Sequence, residues 1–345
     1  MKPSLIAPTG RWSLPALALA VVLAGGSAVT LVGHHAGALP TGVAFRVAGH
    51  DVTVSELDSR IATLTALYSL KKPTGGSALA TFRRDAAKSM AVSMILEDQA
   101  KADGIVVSSS EAQAGLDRVI QQDLGGDTTK FTTFLGNAGI SQNDVLAEVS
   151  RTIATSRLYS KVTRSVKAPT DAQAQADYTA HQADMVSPEE RTLSNIVVGS
   201  EAAAKQVLAR LRSGESFRAV AKATSLDAST RVQGGSLGTH AAADLDSGYA
   251  KVAFAAPVHT LFGPVSTGTG TWNVGYVDAV QPSAPLTFAQ VKSTLIAALQ
   301  SRAQLKVWNA WLTRVIRAAA VEYADEYRPA NPNSAPAIGA SGGTS

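Results

Sequence analysis

The chain has 345 residues, 45% of them hydrophobic and 17% charged, with 31 basic against 27 acidic residues and a net charge of +4. That apolar content suffices for packed cores in two domains and excludes a disordered chain, while the interspersed charges offer no basic run to track a nucleic-acid backbone. The lack of cysteine excludes thiol catalysis, disulfides, cysteine-ligated metal and a lipid-modified cysteine anchor.

At the N-terminus, Lys2 and Arg11 precede a stretch from Trp12 to Gly33 with no charged residue. Its length is near the roughly 20 residues that span a bilayer. Basic residues ahead of such a run place the N-terminus in the cytoplasm and the body outside. Two readings of residues 1–38 stay open. One is an uncleaved signal anchor. The other is a signal peptide cut after a small-x-small site such as Ala36-Gly37-Ala38. Either way the body lies on the extracytoplasmic face of the cell membrane, tethered by a single pass or secreted. The slight cationic excess suits an anionic membrane or wall.

Residues 42–186 read as a hairpin followed by helices. Phe45 and Val47 alternate along a strand, Gly49-His50-Asp51 makes a turn, and Val52 and Val54 form the return strand. Ser55 is the expected N-cap of a helix whose Leu57, Ile61, Leu64 and Tyr68 share one face. Pro73-Thr74-Gly75-Gly76 breaks the chain before a long helix from about Ser77 to Asp103. Ser108 with Glu111, and Ser141 with Asp144, are helix-capping pairs. Another helix starts at Pro169-Thr170 and runs through Tyr178.

Residues 188–282 change character. Leu193 to Val198 is a strand-like run, and an Ala- and Leu-rich helical segment follows from Glu201 to Arg212. Then come Gly214-Glu215-Ser216-Phe217, Ser225-Leu226-Asp227 and the cluster Gly234-Gly235-Ser236-Leu237-Gly238. Val252-Ala253-Phe254, Phe262-Gly263-Pro264-Val265 and a last strand from Trp272 to Val280 close the stretch. After a Pro282/Pro285 linker, Thr287 and Gln290 cap a helix or helix pair within residues 285–325, with Leu295, Trp308, Trp311 and Val315 on its apolar stripe. Residues 326–345 are rich in Pro, Ala, Gly and Ser and are expected to be a disordered tail.

The order of motifs in residues 188–282 resembles the parvulin family of peptidyl-prolyl cis-trans isomerases, which reads S-H-I-L-V, helix, G-x-x-F, S-x-D, G-G-D-L-G, A-F, G-P-V and a last strand carrying a histidine. The hairpin and helices before it resemble the N-terminal segment of the SurA and PrsA chaperones. The resemblance implies an α+β fold. A mainly helical chaperone domain, built from the N-terminal helices and the C-terminal helix, would hold an inserted α/β domain with a small antiparallel sheet flanked by helices.

The same resemblance carries the candidate site. Asn195 and Asn273 stand where the family has its two facing histidines, and Asp227 matches its mouth aspartate. Leu245 and Tyr249 fall where the family has methionine and phenylalanine, Phe254 follows them, and His240 lies just past the glycine cluster. The implied roles are catalytic for Asn195, Asp227 and Asn273, and substrate-binding for Leu245, Tyr249, Phe254 and His240. Each residue also has a plainer reading. Asp227 could cap a turn, both asparagines could be ordinary strand residues, Leu245 and Tyr249 could share a buried helical face, and Phe254 could be core. An asparagine amide donates and accepts hydrogen bonds but does not titrate near neutral pH.

The six histidines, at positions 34, 35, 50, 181, 240 and 259, show no metal-binding spacing. No GxSxG elbow, dinucleotide fingerprint or Walker pattern occurs. No cofactor, nucleotide or nucleic acid is therefore implied. The expected partners are unfolded or proline-containing exported polypeptides, together with the cytoplasmic membrane through the N-terminal segment. The expected function is an extracytoplasmic foldase with a prolyl isomerase domain, whose activity the two asparagines could reduce. The alternative is a non-catalytic chaperone that binds peptides on an inactive parvulin fold.

Overall fold

The computed structural model describes residues 39–268 and 270–336. The uncharged run before Leu39 lies outside them. Among the described residues no helix is long and apolar enough to cross a membrane. The chain divides into a central unit, Pro169–Ala297, and a helical unit made from the flanking segments through Ala168 and from Ala298 onward.

The helical unit opens with a hairpin of β1 (Val43–Val47) and β2 (His50–Thr53). Helix α1 (Val54–Tyr68) starts not at Ser55, as the sequence suggested, but at Thr53. The acid three residues on decides this. The Thr53 hydroxyl accepts from the Glu56 N–H at 3.2 Å, and the Glu56 carboxylate accepts from the Thr53 N–H at 2.7 Å. Helices α2 (Gly76–Ala102), α3 (Ser109–Leu124), α4 (Thr128–Ala138) and α5 (Gln142–Thr163) follow. The expected capping boxes Ser108/Glu111 and Ser141/Asp144 start α3 and α5.

The main core joins Phe45 of β1, Leu57 of α1, Phe82, Val92 and Leu96 of α2, and Leu158 of α5. Trp308, Leu312 and Ile316, from a later helix, complete it. Met90 and Met94 are half-buried against this core. A second cluster, around Leu116, Phe131 and Val149, binds α3, α4 and α5 together. Residues Glu322–Tyr323 form a short strand on the free edge of β1.

The tail differs from expectation. From residue 326 the composition predicted disorder, yet the chain as far as Pro336 is held on α2. Arg84 donates to the Glu326 carbonyl at 3.1 Å, and the Lys88 ammonium donates to the Asn331 carbonyl at 2.7 Å and the Ser334 hydroxyl at 3.1 Å. Tyr327 and Pro329 are buried. A Pro- and Ser-rich composition does not announce that two cations on a distant helix will satisfy its carbonyls.

The central unit begins with α6 (Asp171–Ala180) and the strand β3 (Glu190–Val198). Helices α7 (Glu201–Arg212), α8 (Phe217–Thr224) and α9 (Ala228–Arg231) precede β4 (Ser236–Ala241). Helix α10 (Ser247–Ala255), β5 (Leu261–Ser266) and β6 (Trp272–Gln281) complete it. The sheet order is β4-β3-β6-β5, antiparallel throughout. One face packs Ile196, Val198 and Val274 under α7 and α8; the other packs Leu193, Phe262, Val265 and Val277 under α10. Helix α11 (Phe288–Ala319) runs from the central unit into the helical one, and the short strand after it, Glu322–Tyr323, is β7. The α+β class, with an inserted antiparallel-sheet domain, is the one the sequence implied.

Candidate active site

The site lies on the α10 face of the sheet. Asn195 on β3 and Asn273 on β6 are diagonal neighbours: Asn195 pairs with Gly275 and Asn273 with Val197. The Asn195 amide donates to the Asn273 side-chain oxygen at 2.7 Å, and the Asn273 amide donates to the Thr267 hydroxyl at 3.1 Å. Asn195 is 0% exposed and Asn273 1%. The remaining oxygen of Asn195 is buried with no protein donor.

Two glycines explain why the strands meet so closely here. Gly235, at φ +90°, receives the Asn195 N–H at 2.7 Å, and a side chain there would fall 2.7 Å from the Asn195 carbonyl. Gly275 lies under the Phe262 ring, where an added Cβ would meet ring carbon at 2.0 Å. The Phe262 ring sits edge-on to Tyr249, with centroids 5.3 Å apart.

Tyr249 on α10 is 0% exposed and its hydroxyl finds no hydrogen-bond partner. Burial pushes its pKa well above the usual phenol value, and the charge of Asp278 pushes the same way. Leu237, Leu245 and Phe254 are half-buried around the same cluster and form its more open apolar wall. Phe254 lies under the Arg191 guanidinium, 5.0 Å from its ring centre. Arg191 in turn donates to the carbonyls of Ala253 at 2.7 Å and Ala256 at 2.5 Å, and pairs with Glu189 at 2.7 Å. It therefore ties the end of α10 to β3.

Asp227 caps α9 and makes no hydrogen bond with the asparagine pair. It accepts from the Ser229 N–H at 3.0 Å, the Ser229 hydroxyl at 2.5 Å and the Thr230 hydroxyl at 2.7 Å. Burial raises its pKa, but these donors outweigh burial, so the carboxyl sits below its ordinary value. Ser225 holds this loop to the sheet, its hydroxyl accepting from Val197 N–H at 3.2 Å. His240 is half-buried on β4, where its Nε2–H donates to the Leu237 carbonyl at 2.9 Å.

The structure thus brings Asn195 and Asn273 into direct contact. It gathers Leu245, Tyr249 and Phe254 into one apolar cluster and leaves Asp227 and His240 with local partners. Reading the sequence did not single out Thr267, Leu237, Phe262 or Arg191 as site residues. Leu237 was within reach, since it sits inside the glycine cluster. Phe262 needed the register that sets it against Gly275. Arg191 looked like an ordinary strand-end cation.

Residues 169–293 match the family model described as the PPIC-type PPIASE domain. Among curated proteins, the foldase protein PrsA of Clostridium kluyveri is 24% identical over 210 residues, covering 56% of this chain and 62% of that protein. PrsA of Clostridium acetobutylicum is 31% identical over 180 residues, covering 48% and 53%. The chain spans about half the length of the curated relatives it matches. Among solved structures, PrsA of Streptococcus pneumoniae aligns with a TM-score of 0.43 at 15% identity, covering 83% of this chain and 97% of that one. A SurA-like chaperone structure from Campylobacter jejuni aligns with a TM-score of 0.45 at 16% identity, covering 83% and 100%.

The central unit is a parvulin-type peptidyl-prolyl isomerase domain. The chain that carries it is similar in sequence to PrsA foldases, and that domain lies between the two flanking segments of a helical unit.

Proposed function

We propose that the protein is an extracytoplasmic foldase: its helical unit holds unfolded exported chains, and its parvulin-type unit speeds rotation about X-Pro bonds. The observation that carries this reading is the PPIC-type match over residues 169–293, a stretch in which the Asn195–Asn273 pair and the apolar wall of Leu237, Leu245 and Phe254 share one sheet face. The barrier to rotation is about 20 kcal/mol, and no bond is made or broken. A catalyst has to seat the proline ring and favour the twisted, less conjugated amide. The half-buried leucines and Phe254 supply the seat. The asparagines, closed off from solvent, act as positioning residues that hold β3 and β6 in register behind it. Neither a nucleotide nor a redox group has a part in such chemistry. The body lies outside the cytoplasmic membrane, tethered by the uncharged N-terminal run or released from it.

A second reading has its own support. Asn195, Asn273 and Tyr249 are at most 1% exposed, and the asparagines cannot change charge. On that reading the activity is reduced or absent, and the cradle binds proline-containing segments without useful catalysis. NMR exchange on a proline peptide separates the two. Acceleration by the wild type that falls about tenfold in Leu245→Ala, the loss expected from removing apolar contacts to the ring, supports the isomerase. Peptide shift changes without acceleration support the binding module. Neither effect, with client aggregation also unsuppressed, would sink the foldase.

A further inference from the structure

The solvent face of α11 differs from the other helices of its unit. Over Phe288–Ala319 the helix has five basic residues and no acidic one. At 100° per residue, Arg302, Lys306, Arg314 and Arg317 fall within about a third of its circumference, with Ala310 among them. Trp308, Leu312 and Ile316 occupy the opposite side and are buried. Lys306, Arg314 and Arg317 are exposed, and their side chains have no ion-pair or hydrogen-bond partner among the described residues.

On the other helices of the unit many cations lie beside acids and are engaged by them. Arg83 pairs with Asp58, Arg151 with Glu97 and Glu148, Arg157 with Glu111, and Lys161 with Asp103. Two of the acids that follow α11 are also paired, Glu322 with Arg46 at 3.7 Å and Asp325 with Arg328 at 3.6 Å. The helix end also lies close to where the N-terminal stretch enters the fold. Strand β7, two residues past α11, pairs with β1 through Phe45–Tyr323 and Arg46–Glu322. The uncharged run of Trp12–Gly33 precedes β1 by a short segment of sequence.

We propose that the face of α11 from Lys306 to Arg317 is a docking surface for the anionic headgroups of a lipid bilayer. Three unpaired cations on a rigid helix give charge complementarity, and the N-terminal run would bring a bilayer near their end of the fold. Each basic side chain near an anionic leaflet strengthens the contact about fivefold, so three give roughly a hundredfold. The surface uses no residue of the parvulin-type unit and stands whether or not that unit is an active isomerase.

Because the chain has no cysteine, Ala310→Cys gives one labelling site on this face, and Ala114→Cys on α3 gives a control. The full chain is bound to vesicles of phosphatidylcholine alone, or of phosphatidylcholine mixed with phosphatidylglycerol, and exposed to an aqueous quencher. The label at position 310 should be shielded on the anionic vesicles only, and the shielding should fade in high salt. The combined Lys306→Gln, Arg314→Gln, Arg317→Gln variant should weaken the contact roughly a hundredfold while the control label stays exposed. Equal shielding on both vesicles, or none on either, would overturn the proposal. Binding of soluble polyphosphate without shielding on vesicles would overturn it in favour of an anionic polymer. Co-sedimentation with neutral vesicles reports the N-terminal anchor separately, so the two readings fail independently.

Discussion

Each unit encloses a buried polar cluster, and these two clusters are built on opposite principles. In the helical unit Glu148 of α5 is buried and takes Arg60, Arg151 at 3.4 Å and the Tyr68 hydroxyl at 3.2 Å. In the central unit two neutral amides meet behind an apolar wall. A buried carboxylate with two cations is costly to desolvate and costly to break, because removing one partner strands the other charges. A buried amide pair costs less to enclose and has no charge to strand. The cluster in the helical unit therefore depends on one carboxylate, whereas the one in the central unit depends on shape and hydrogen-bond register.

Breaking the charged cluster should have the largest effect. Glu148→Gln leaves Arg60 half-paired and Arg151 with only Glu97, and should lower stability by about 3 kcal/mol in urea unfolding. A loss under about 1 kcal/mol would mean that water screens the cluster more than its burial suggests. Breaking the neutral cluster should cost less. Asn273→Ala removes the acceptor for the Asn195 amide and the donor to Thr267, a loss of about 2 kcal/mol. Thermal unfolding of the two variants side by side tests the ranking, and the reverse order would refute the contrast between the clusters.

Most of the frame could be read from residue types because its signals are local. Ser108/Glu111 and Ser141/Asp144 set the starts of α3 and α5 through groups three residues apart. The glycine cluster marked where β4 must pass β3. What escaped depends on how groups answer one another, often across long stretches of sequence. Thr53 rather than Ser55 caps α1 because Glu56 answers it. The tail beyond Tyr327 is held by Lys88, more than two hundred positions earlier. Arg191 becomes a tie only when the carbonyls of Ala253 and Ala256 turn towards it. The asparagine pair was visible as two residue types, but its closure from solvent was not.

Asp227 lies between the two principles, a carboxylate held by neutral donors. Its carboxyl is below its ordinary value of 3.8, so its contribution is present above that value and is lost as pH falls through the folded-state value. Asp227→Ala should cost about 1 kcal/mol at neutral pH through loss of the α9 cap, and Asp227→Asn less. The wild type should lose its margin over Asp227→Ala in unfolding measured below the ordinary carboxyl range. A margin that persists there would show that the charge plays no part.

The smallest expected effect is a zero. No group in the Asn195–Asn273–Thr267 chain titrates between about pH 6 and 8. Any isomerisation rate should therefore be flat across that window. Asp227 is already ionised there, and the hydrogen bond of His240 goes to the Leu237 carbonyl rather than to the amide chain. The Asn195→His, Asn273→His double variant should acquire a slope in the same window, because each imidazole gains a proton as pH falls through about 6.5. NMR exchange rates for wild type, the double variant and His240→Gln separate the possibilities. A wild-type slope that vanishes in His240→Gln would make that histidine part of the site. A slope that survives the substitution would mean that a titrating group outside this chain of amides governs the rate, and the neutral pair would lose its claim to set the behaviour of the cradle.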